Sequence, residues 1–238
     1  MTLRIGIDLD GVLADFRSAF RATAMHCLRR DVDDPAAALE GTPGSLTDKD
    51  IRKVWDHIAQ TPNWWMEVPA FEPEQIARLY ACTRASAWEV FFLTRRPASA
   101  GDSVQFQTQW WIERHGFYMP AVLTIPGSRG EVANALRLNL VIDDLLLNCI
   151  EVVSASAAKA LLLLRSGDTA VEQHALSRGI GVVPALAEAI EVTGRLHALL
   201  PGRSGRLLRL ADWFTPEQTA EPLPHNPRDS RPLPPSEG

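Results

Sequence analysis

The feature that most constrains this chain is a short apolar run near its start that ends on two acidic residues. The run reads Ile-Gly-Ile-Asp-Leu-Asp-Gly at positions 5–11. Side chains two residues apart on a β-strand project to the same side, so Asp8 and Asp10 are predicted to lie together at the strand end. Gly11 then allows a sharp turn, because glycine adopts backbone angles that other residues avoid. Two adjacent carboxylates repel unless a proton or a divalent cation lies between them, which makes this end a candidate metal site.

Segments of strand length alternate with helical segments along most of the remaining chain. Apolar runs at 88–93, 121–125, 138–142, 160–164 and 180–183 have the length of buried strands, and helical patterns lie between them. Strands that alternate with helices predict an α/β fold with a parallel sheet and helices on both faces.

Between the first strand and residue 72 the sequence has helical patterns but no strand pattern. We predict helices at Phe16–Leu28 and after an N-cap at Thr47. We therefore divide the chain into an α/β core of residues 1–15 and 72–214 and a small helical insertion of residues 16–71. Residues 215–238 contain seven of the 17 prolines and few apolar residues, which predicts a disordered tail.

Composition excludes some classes of function. The net charge is −5 and no basic run stands out, so a nucleic-acid polymer is not expected as the partner. Cys27, Cys82 and Cys149 form no metal-binding or disulfide pattern, which favours a reduced, cytoplasmic protein. The start of the chain does not resemble a signal peptide, and the longest apolar stretch, 157–164, is too short to span a bilayer, so no membrane is expected.

Further polar residues follow other predicted strands. Thr94 comes directly after the strand that ends at Leu93, and Asp143 and Asp144 come after the strand that ends at Ile142. Ligands of parallel α/β sheets bind at the carboxyl ends of the strands, so one crevice can collect these side chains. Each alone has an ordinary explanation, because threonine after a strand is common and a pair of aspartates also suits a turn.

A helix start supplies a candidate cation. Ser128 and Glu131 have the spacing of a capping box, which predicts a helix that begins with Arg129. An arginine at a helix start is usually a solvated surface charge, so its position after the third core strand is what makes it a candidate.

The residues Asp8–Val12 resemble the first motif of the haloacid dehalogenase-like phosphohydrolases. Thr94, Arg129 and the pair Asp143-Asp144 resemble the other three motifs of that superfamily, in the same order along the chain. The resemblance implies a Rossmann-like core with a small helical cap inserted after the first strand.

The resemblance also implies a role for each matched residue. Asp8 would be the nucleophile and Asp10 the acid/base, while Thr94 and Arg129 would bind the phosphate. Mg²⁺ would be held by Asp8, Asp143 and the main-chain carbonyl of Asp10. Asp144 would position a metal-bound water rather than contact the metal. The implied partner is a small-molecule phosphate monoester.

A narrower resemblance points to the 5′-nucleotidase, deoxy (pyrimidine), type C family, the 5′(3′)-deoxyribonucleotidases. It depends on four segments and covers about Ile5 to Cys149; these segments are Asp8–Asp15, Trp64-Trp65 before Pro69, Trp111–Gly116 and Val141–Asp144. It implies a nucleotide substrate whose base stacks on aromatic residues of the cap, for which Phe16, Trp64 and Trp65 are the candidates.

The chain departs from the family at two places. Arg129 stands where a lysine is usual, and the apolar triplet Leu145–Leu147 stands where polar residues are common. Arginine keeps the charge and can bind phosphate by its fork. The triplet suits a changed rim of the site or a subunit contact, so a homodimer stays open.

Two alternatives remain at this point. One is a general sugar phosphatase of the same fold, and the other is a weakly active module that binds nucleotide or phosphate. A rival within α/β folds is the response-regulator receiver, which also uses acids, a threonine and a lysine. A receiver has its acidic pair on the first strand, whereas here the acidic pair comes last, and this order argues against it.

Overall fold

A computed structural model describes residues 2–33 and 46–199. The strands are β1 (Arg4–Asp8), β2 (Glu89–Thr94), β3 (Ala121–Thr124), β4 (Leu140–Asp143), β5 (Lys159–Leu163) and β6 (Gly181–Val183). The helices are α1 (Phe16–Leu28), α2 (Asp48–Gln60), a 3-10 helix (Trp64–Glu67), α3 (Pro73–Ser86), α4 (Val104–Arg114), α5 (Arg129–Ala135), α6 (Leu146–Ala155), α7 (Thr169–Ser177) and α8 (Leu186–Leu199). The tail predicted at 215–238 lies outside the described residues.

The strands form one parallel sheet in the order β3-β2-β1-β4-β5-β6. This arrangement confirms the predicted α/β class. β1 lies in the middle of the sheet. The chain adds β2 and β3 on one side of β1, then crosses over and adds β4, β5 and β6 on the other side, so the strand order reverses between β1 and β4. Such a reversal opens a crevice at the carboxyl ends of the two strands, where α/β proteins bind their ligands.

The central strands are apolar because helices cover both faces of the sheet. Ile5 and Ile7 of β1 and Leu161 and Leu162 of β5 are fully buried. Because consecutive side chains of a strand point to opposite faces, burial of Leu161 beside Leu162 means that neither face meets water there. The sheet is therefore a rigid base for the residues at its carboxyl edge.

Local signals in the sequence explain several helix starts. At α2, the hydroxyl of Thr47 accepts a hydrogen bond from the Asp50 amide at 3.2 Å, and the Asp50 carboxylate accepts one from the Thr47 amide at 3.1 Å. This reciprocal pair caps the helix. It lowers the pKa of Asp50, mainly through the bond from the Thr47 amide.

The capping box predicted at α5 is wrong in one partner. Ser128 does cap the helix, since its hydroxyl accepts a hydrogen bond from the Gly130 amide at 3.1 Å. The carboxylate that completes the cap belongs to Glu151 of α6, which accepts from the Ser128 hydroxyl at 2.9 Å and from the Arg129 amide at 3.1 Å. A Cβ atom on Gly130 would lie 2.3 Å from the Glu151 carbonyl, so glycine lets α5 pack this close to α6.

The described chain forms two compact units. One comprises residues 2–16 and 59–199, and the other comprises residues 17–33 and 46–58. In the smaller unit, Phe20 and Trp55 pack with ring centroids 5.4 Å apart, and Ile51, Val54 and Ile58 are buried. Residues 59–71, the last part of the predicted helical insertion, lie in the unit that contains the sheet.

Two segments of the larger unit pair beside the first turn. The Asp15 amide donates to the Pro69 carbonyl at 2.8 Å, and the Phe71 amide donates to the Leu13 carbonyl at 3.0 Å. Arg165, which follows β5, donates to the Val12 carbonyl at 2.9 Å. These bonds fix the turn that follows Asp8 and Asp10. In the part of the chain that the structure describes, no helix is both long and apolar enough to cross a membrane.

Candidate active site

The turn after β1 brings the first acidic residues against the end of β4. Asp8 is the last residue of β1, and Gly11 has a φ of 96°, a backbone conformation that glycine adopts without strain. A Cβ atom at Gly11 would lie 1.9 Å from an oxygen of Asp144. The glycine is therefore required both by the turn and by the close approach of the Asp144 carboxylate.

Three carboxylates converge at this point. Asp8, Asp143 and Asp144 each offer a ligand oxygen, and the three atoms all lie within 4.8 Å of one another. Mg²⁺ and Ca²⁺ take carboxylate oxygens at about 2.0–2.6 Å, so one cation can reach three oxygens at this spacing after small side-chain movements. Donors that are all oxygen suit such hard cations. The residues present therefore fit a divalent metal ion.

One buried arginine lies among these acids. The Arg129 Nη2 group donates a short hydrogen bond to Asp8 Oδ1, and Arg129 Nε lies 3.5 Å from Asp143 Oδ2. The side chains of Arg129 and Asp143 are almost completely buried. Nη1 of the same guanidinium is also buried and has no hydrogen-bond partner among the described residues. A buried, unsatisfied cationic donor is costly, and an anionic oxygen in the crevice would satisfy it.

The charges of the cluster shift its pKa values. Burial, followed by the repulsion of Asp143, Asp144 and Asp10, raises the pKa of Asp8 well above its usual value, although Arg129 opposes the shift. Burial likewise raises the pKa of Asp143. For Arg129, burial acts to lower the pKa, but the two acidic partners outweigh it and raise the pKa. The cluster thus has more negative charge than one arginine neutralises.

Asp143 is held in place by donors from the start of α6. The side-chain amide of Asn148 lies 3.0 Å from both carboxylate oxygens of Asp143, and the Leu145 amide donates to Oδ1 at 2.9 Å. Sequence reasoning missed Asn148. Its position on the first helical turn after the Asp-Asp pair was the only signal, because a helix start returns to the preceding strand end.

Asp10 has a different environment from the other acids. Its carboxylate is paired with Arg96, whose Nη2 group donates to Oδ1 at 2.8 Å and whose Nε group donates to Oδ2 at 3.0 Å. The sequence analysis did not identify Arg96 as a site residue. The signal was its position two residues after Thr94, on the same extended segment.

Thr94 ends β2 and is buried, and its hydroxyl accepts a hydrogen bond from the Arg96 amide at 3.2 Å. It thus lies at the predicted edge of the sheet, while its role as a phosphate ligand stays a prediction.

The three aromatic candidates lie together in the larger unit. The Trp65 ring is 5.8 Å from the Phe16 ring at 26°, and the Trp64 ring is 4.8 Å from the Trp65 ring at 88°. Trp65 is only 1% exposed, and its indole nitrogen donates to the Pro97 carbonyl at 2.9 Å. Phe16 and Trp64 are half-buried. The geometry therefore gives no support to Trp65 as a base-stacking residue, whereas Phe16 and Trp64 stay candidates.

The sheet edge thus collects most of the residues selected from the sequence. Asp8, Arg129, Asp143 and Asp144 form one cluster. Asp144 lies closer to the other acids than expected, since its carboxylate is one of the three that converge. The side chain of Asp10 is not among those three, which leaves only its main-chain carbonyl for the predicted metal contact.

Comparison with solved structures places this architecture. The chain resembles a HAD family hydrolase from Deinococcus radiodurans R1 with bound phosphate and sodium, with a TM-score of 0.55 and 14% identity over 84% of this chain and 99% of that chain. It also resembles a predicted phosphatase from Clostridium acetobutylicum, with a TM-score of 0.57 and 13% identity over 82% of this chain and 99% of that chain. The fold is that of the haloacid dehalogenase-like hydrolases.

A third similar structure is a putative beta-phosphoglucomutase from Thermotoga maritima, with a TM-score of 0.54 and 14% identity over 82% of this chain and 100% of that chain. No protein-family model and no curated protein matches the sequence. The likeness therefore establishes the fold predicted from the sequence, and the chemistry has to be inferred from the residues at the site.

Proposed function

We propose that this protein is a Mg²⁺-dependent phosphomonoesterase that hydrolyses nucleoside monophosphates through an aspartyl-phosphate on Asp8. The observation that carries the proposal is the convergence of Asp8, Asp143 and Asp144 within 4.8 Å around a buried arginine. Three carboxylates and one guanidinium leave an excess of negative charge, which a divalent cation offsets. A structure of similar fold is described with bound phosphate, which supports the class of substrate.

Bound Mg²⁺ would be held by Asp8, Asp143 and the main-chain carbonyl of Asp10, with the Asp144 carboxylate at hand. It would supply positive charge that reduces the repulsion between a carboxylate nucleophile and a dianionic phosphate. Oxygen-only donors at the mouth of a sheet crevice favour Mg²⁺ over metals that prefer nitrogen or sulfur.

The remaining steps belong to the residues of the chain. The Asp8 carboxylate attacks phosphorus and the bond to the leaving oxygen breaks, which gives an aspartyl-phosphate. Arg129 and Thr94 bind the equatorial phosphoryl oxygens, where charge develops. Arg129 has an Nη1 group for this purpose that meets no acceptor within residues 2–33 and 46–199. Asp10 gives a proton to the leaving oxygen and then takes one from the water that hydrolyses the intermediate.

The choice of a nucleotide depends on the narrower family resemblance and on two aromatic side chains. Phe16 and Trp64 are half-buried, with ring centroids 6.1 Å apart at 78°. A base could stack on either ring, and stacking accepts any nucleobase. We further propose a helical cap within residues 16–71, a homodimer through the half-buried Leu145–Leu147 segment, and a cytoplasmic location.

A general sugar phosphatase is the second candidate. Burial of Trp65 leaves a smaller aromatic surface for a base than the sequence implied. A small sugar phosphate would need only the acidic cluster and the phosphate-binding groups.

A phosphate-release screen tests both candidates. Nucleoside monophosphates and sugar phosphates are incubated with Mg²⁺, and Asp8→Asn is compared with the exposed control Asp56→Asn. We expect release from nucleotides that Asp8→Asn lowers by about 10⁴-fold or more and that the control leaves within about twofold.

Other results would revise the proposal in defined ways. Turnover of sugar phosphates alone would establish the second candidate. Thermal stabilisation by nucleotide without turnover would indicate a binding module. Phosphate release that is unchanged in Asp8→Asn would exclude the aspartyl-phosphate mechanism.

A further inference from the structure

Arg96 makes a set of contacts that the proposed reaction does not yet use. Its side chain is completely buried, and its guanidinium pairs with the partly exposed carboxylate of Asp10. Burial of a charged group is costly unless its partners are well placed, so a buried arginine directed at one catalytic acid calls for an explanation. We infer that Arg96 is the positioning residue for Asp10 and holds its carboxyl group in the orientation that proton transfer to the leaving oxygen requires. This inference rests on the proposed function.

The hydrogen bonds from Arg96 reach both oxygens of Asp10. Oδ1 accepts from Nη2 at 2.8 Å, and Oδ2 accepts from Nε at 3.0 Å, while the same Nε group lies 3.2 Å from Oδ1. Each oxygen thus has one principal donor, as in a bidentate arginine–carboxylate pair. Such a pair fixes the position and the plane of the Asp10 carboxyl group.

The guanidinium is itself held from three directions. It lies 4.8 Å from the ring centroid of Trp65 and 5.9 Å from that of Trp111, and Nη1 donates to the Thr108 hydroxyl at 3.2 Å. Contact with aromatic faces stabilises the cation. These contacts leave the guanidinium one orientation, with its Nε–Nη2 edge toward Asp10.

The two aromatic walls are also anchored. The indole nitrogen of Trp65 donates to the Pro97 carbonyl at 2.9 Å, and that of Trp111 donates to the Val68 carbonyl at 2.6 Å. Both indole rings are buried. The position of Asp10 is thus set by a chain of contacts that reaches into the core of the larger unit.

The proton transfer balances with Arg96 in this role. As the bond from phosphorus to the leaving oxygen breaks, the proton of the Asp10 carboxyl group passes to that oxygen, and Asp10 becomes a carboxylate. The adjacent guanidinium stabilises this new negative charge without moving. In the second half-reaction Asp10 takes a proton from the attacking water, and the starting state is restored.

A purely structural ion pair would show the same contacts, so the test must separate the two roles. Substituted phenyl phosphates do so, because a nitrophenolate leaves without protonation whereas phenolate benefits from an acid. The value of kcat/KM reports transfer to Asp8, which is the step that Asp10 assists as an acid.

We expect Arg96→Lys and Arg96→Gln to lower kcat/KM for phenyl phosphate by about 10–100-fold and for p-nitrophenyl phosphate by less than about threefold. In the Asp10→Asn background, Arg96→Gln should change kcat/KM for phenyl phosphate by less than about twofold, because the group that it positions is gone. The neutral pair in this double variant also guards against misfolding caused by an unpaired buried charge.

Arg114→Gln is the matched control, because Arg114 also pairs with a carboxylate, Glu67 at 3.7 Å, and lies 5.2 Å from the Trp110 ring centroid. It should leave the ratio of the two substrates unchanged. Equal losses on both substrates in Arg96→Lys, or additive losses with Asp10→Asn, would overturn the inference. Wild-type protein that hydrolyses no phosphomonoester would instead refute the proposed function itself.

Discussion

The carboxyl edge of the sheet contains two buried arginines that meet aspartates in opposite ways. Arg129 lies among acids, with Asp8 and Asp143 both in contact with its guanidinium. Arg96 meets one carboxylate, that of Asp10, and is otherwise enclosed by the rings of Trp65 and Trp111 and by a hydroxyl. One arginine is outnumbered by its partners, and the other is matched to a single partner.

The two arginines differ in the number of acids that they meet, and this difference indicates that they have different functions. The acidic cluster sets three carboxyl groups against one guanidinium, and burial raises the pKa values of Asp8 and Asp143. It is therefore suited to recruit a metal and to change charge during a reaction. The Arg96–Asp10 pair matches one guanidinium to one carboxyl group and is enclosed by two rings and a hydroxyl, so it is suited to fix the direction of that carboxyl group.

The largest effect that separates the two arginines is expected from Arg129→Gln. This change removes the cation that contacts Asp8, the proposed nucleophile. It also removes the Nη1 donor, which has no hydrogen-bond partner among the described residues and which we assign to phosphate. We expect kcat to fall by about 10²–10³-fold on every phosphate ester, p-nitrophenyl phosphate included, because the lost interaction acts on the transferred group.

Arg129→Lys is the matched variant, since it keeps the charge and restores the residue usual in the resembled superfamily. It should retain activity within about tenfold, the loss reflecting one point donor in place of a fork. Steady-state kinetics on p-nitrophenyl phosphate measure both variants. A loss in Arg129→Gln no larger than that in Arg96→Gln on this substrate would remove the distinction between the two arginines.

The acidic cluster of Asp8, Asp143 and Asp144 was predictable from the sequence, because its residues lie at or directly after the ends of strands. Asp8 and Asp143 are the last residues of β1 and β4, and the reading of those strands from apolar runs was sufficient to bring them together. The position of Arg129 followed from a helix start that Ser128 does cap. The identity of the acid that completes the cap depends on the packing of α5 against α6, which no local pattern contains.

The surroundings of Arg96, with Asp10, Trp65 and Trp111, were not predicted from the sequence, although one signal for Arg96 was present. The rule of two-residue spacing that made Asp10 a candidate after Asp8 applies equally to Arg96 after Thr94. The partners of Arg96 could not be predicted, because Trp65 and Trp111 come from distant elements. The sequence likewise could not decide which of Trp64 and Trp65 is buried, because the two are adjacent and are the same type of residue.

A smaller effect on activity is expected from Asn148→Ala, which changes the acidic cluster and leaves the Arg96–Asp10 pair as it is. The amide of Asn148 lies 3.0 Å from both oxygens of Asp143 and fixes that carboxylate. Residues that orient a metal ligand typically contribute about 10–100-fold in metal affinity. We expect the Mg²⁺ concentration for half-maximal activity to rise by about this factor, while kcat at saturating Mg²⁺ falls by less than about threefold.

The exposed Asn134 of α5 provides the control variant Asn134→Ala, which should leave the Mg²⁺ dependence unchanged. An unaltered Mg²⁺ dependence in Asn148→Ala would show that Asp143 does not need this amide to bind the metal. The ratio of kcat/KM for phenyl phosphate to that for p-nitrophenyl phosphate should be the same in Asn148→Ala and in the wild type, because Asp10 is held by Arg96 and not by Asn148.

The smallest effect is on stability in the absence of metal. Because burial and the neighbouring acids raise the folded-state pKa of Asp8 above the ordinary value of 3.8, the folded state binds this proton more tightly than the unfolded chain does. The metal-free protein should therefore lose stability as the pH rises from about 4 through the raised pKa. Asp8→Asn removes the charge and should raise Tm at pH 8 by about 2–6 °C relative to the wild type, with a smaller difference near pH 5.

Thermal unfolding in EDTA across this pH range gives the difference in Tm between the wild type and Asp8→Asn. Because both proteins contain the same other titrating groups, histidines included, the contribution of those groups cancels in this difference. Mg²⁺ should then stabilise the wild type more than Asp8→Asn, because the variant has lost a ligand. If Asp8→Asn were instead less stable than the wild type at pH 8 without metal, Arg129 would already balance the acids. The acidic cluster would then resemble the Arg96–Asp10 pair, and the inference of a cation from excess negative charge would fail.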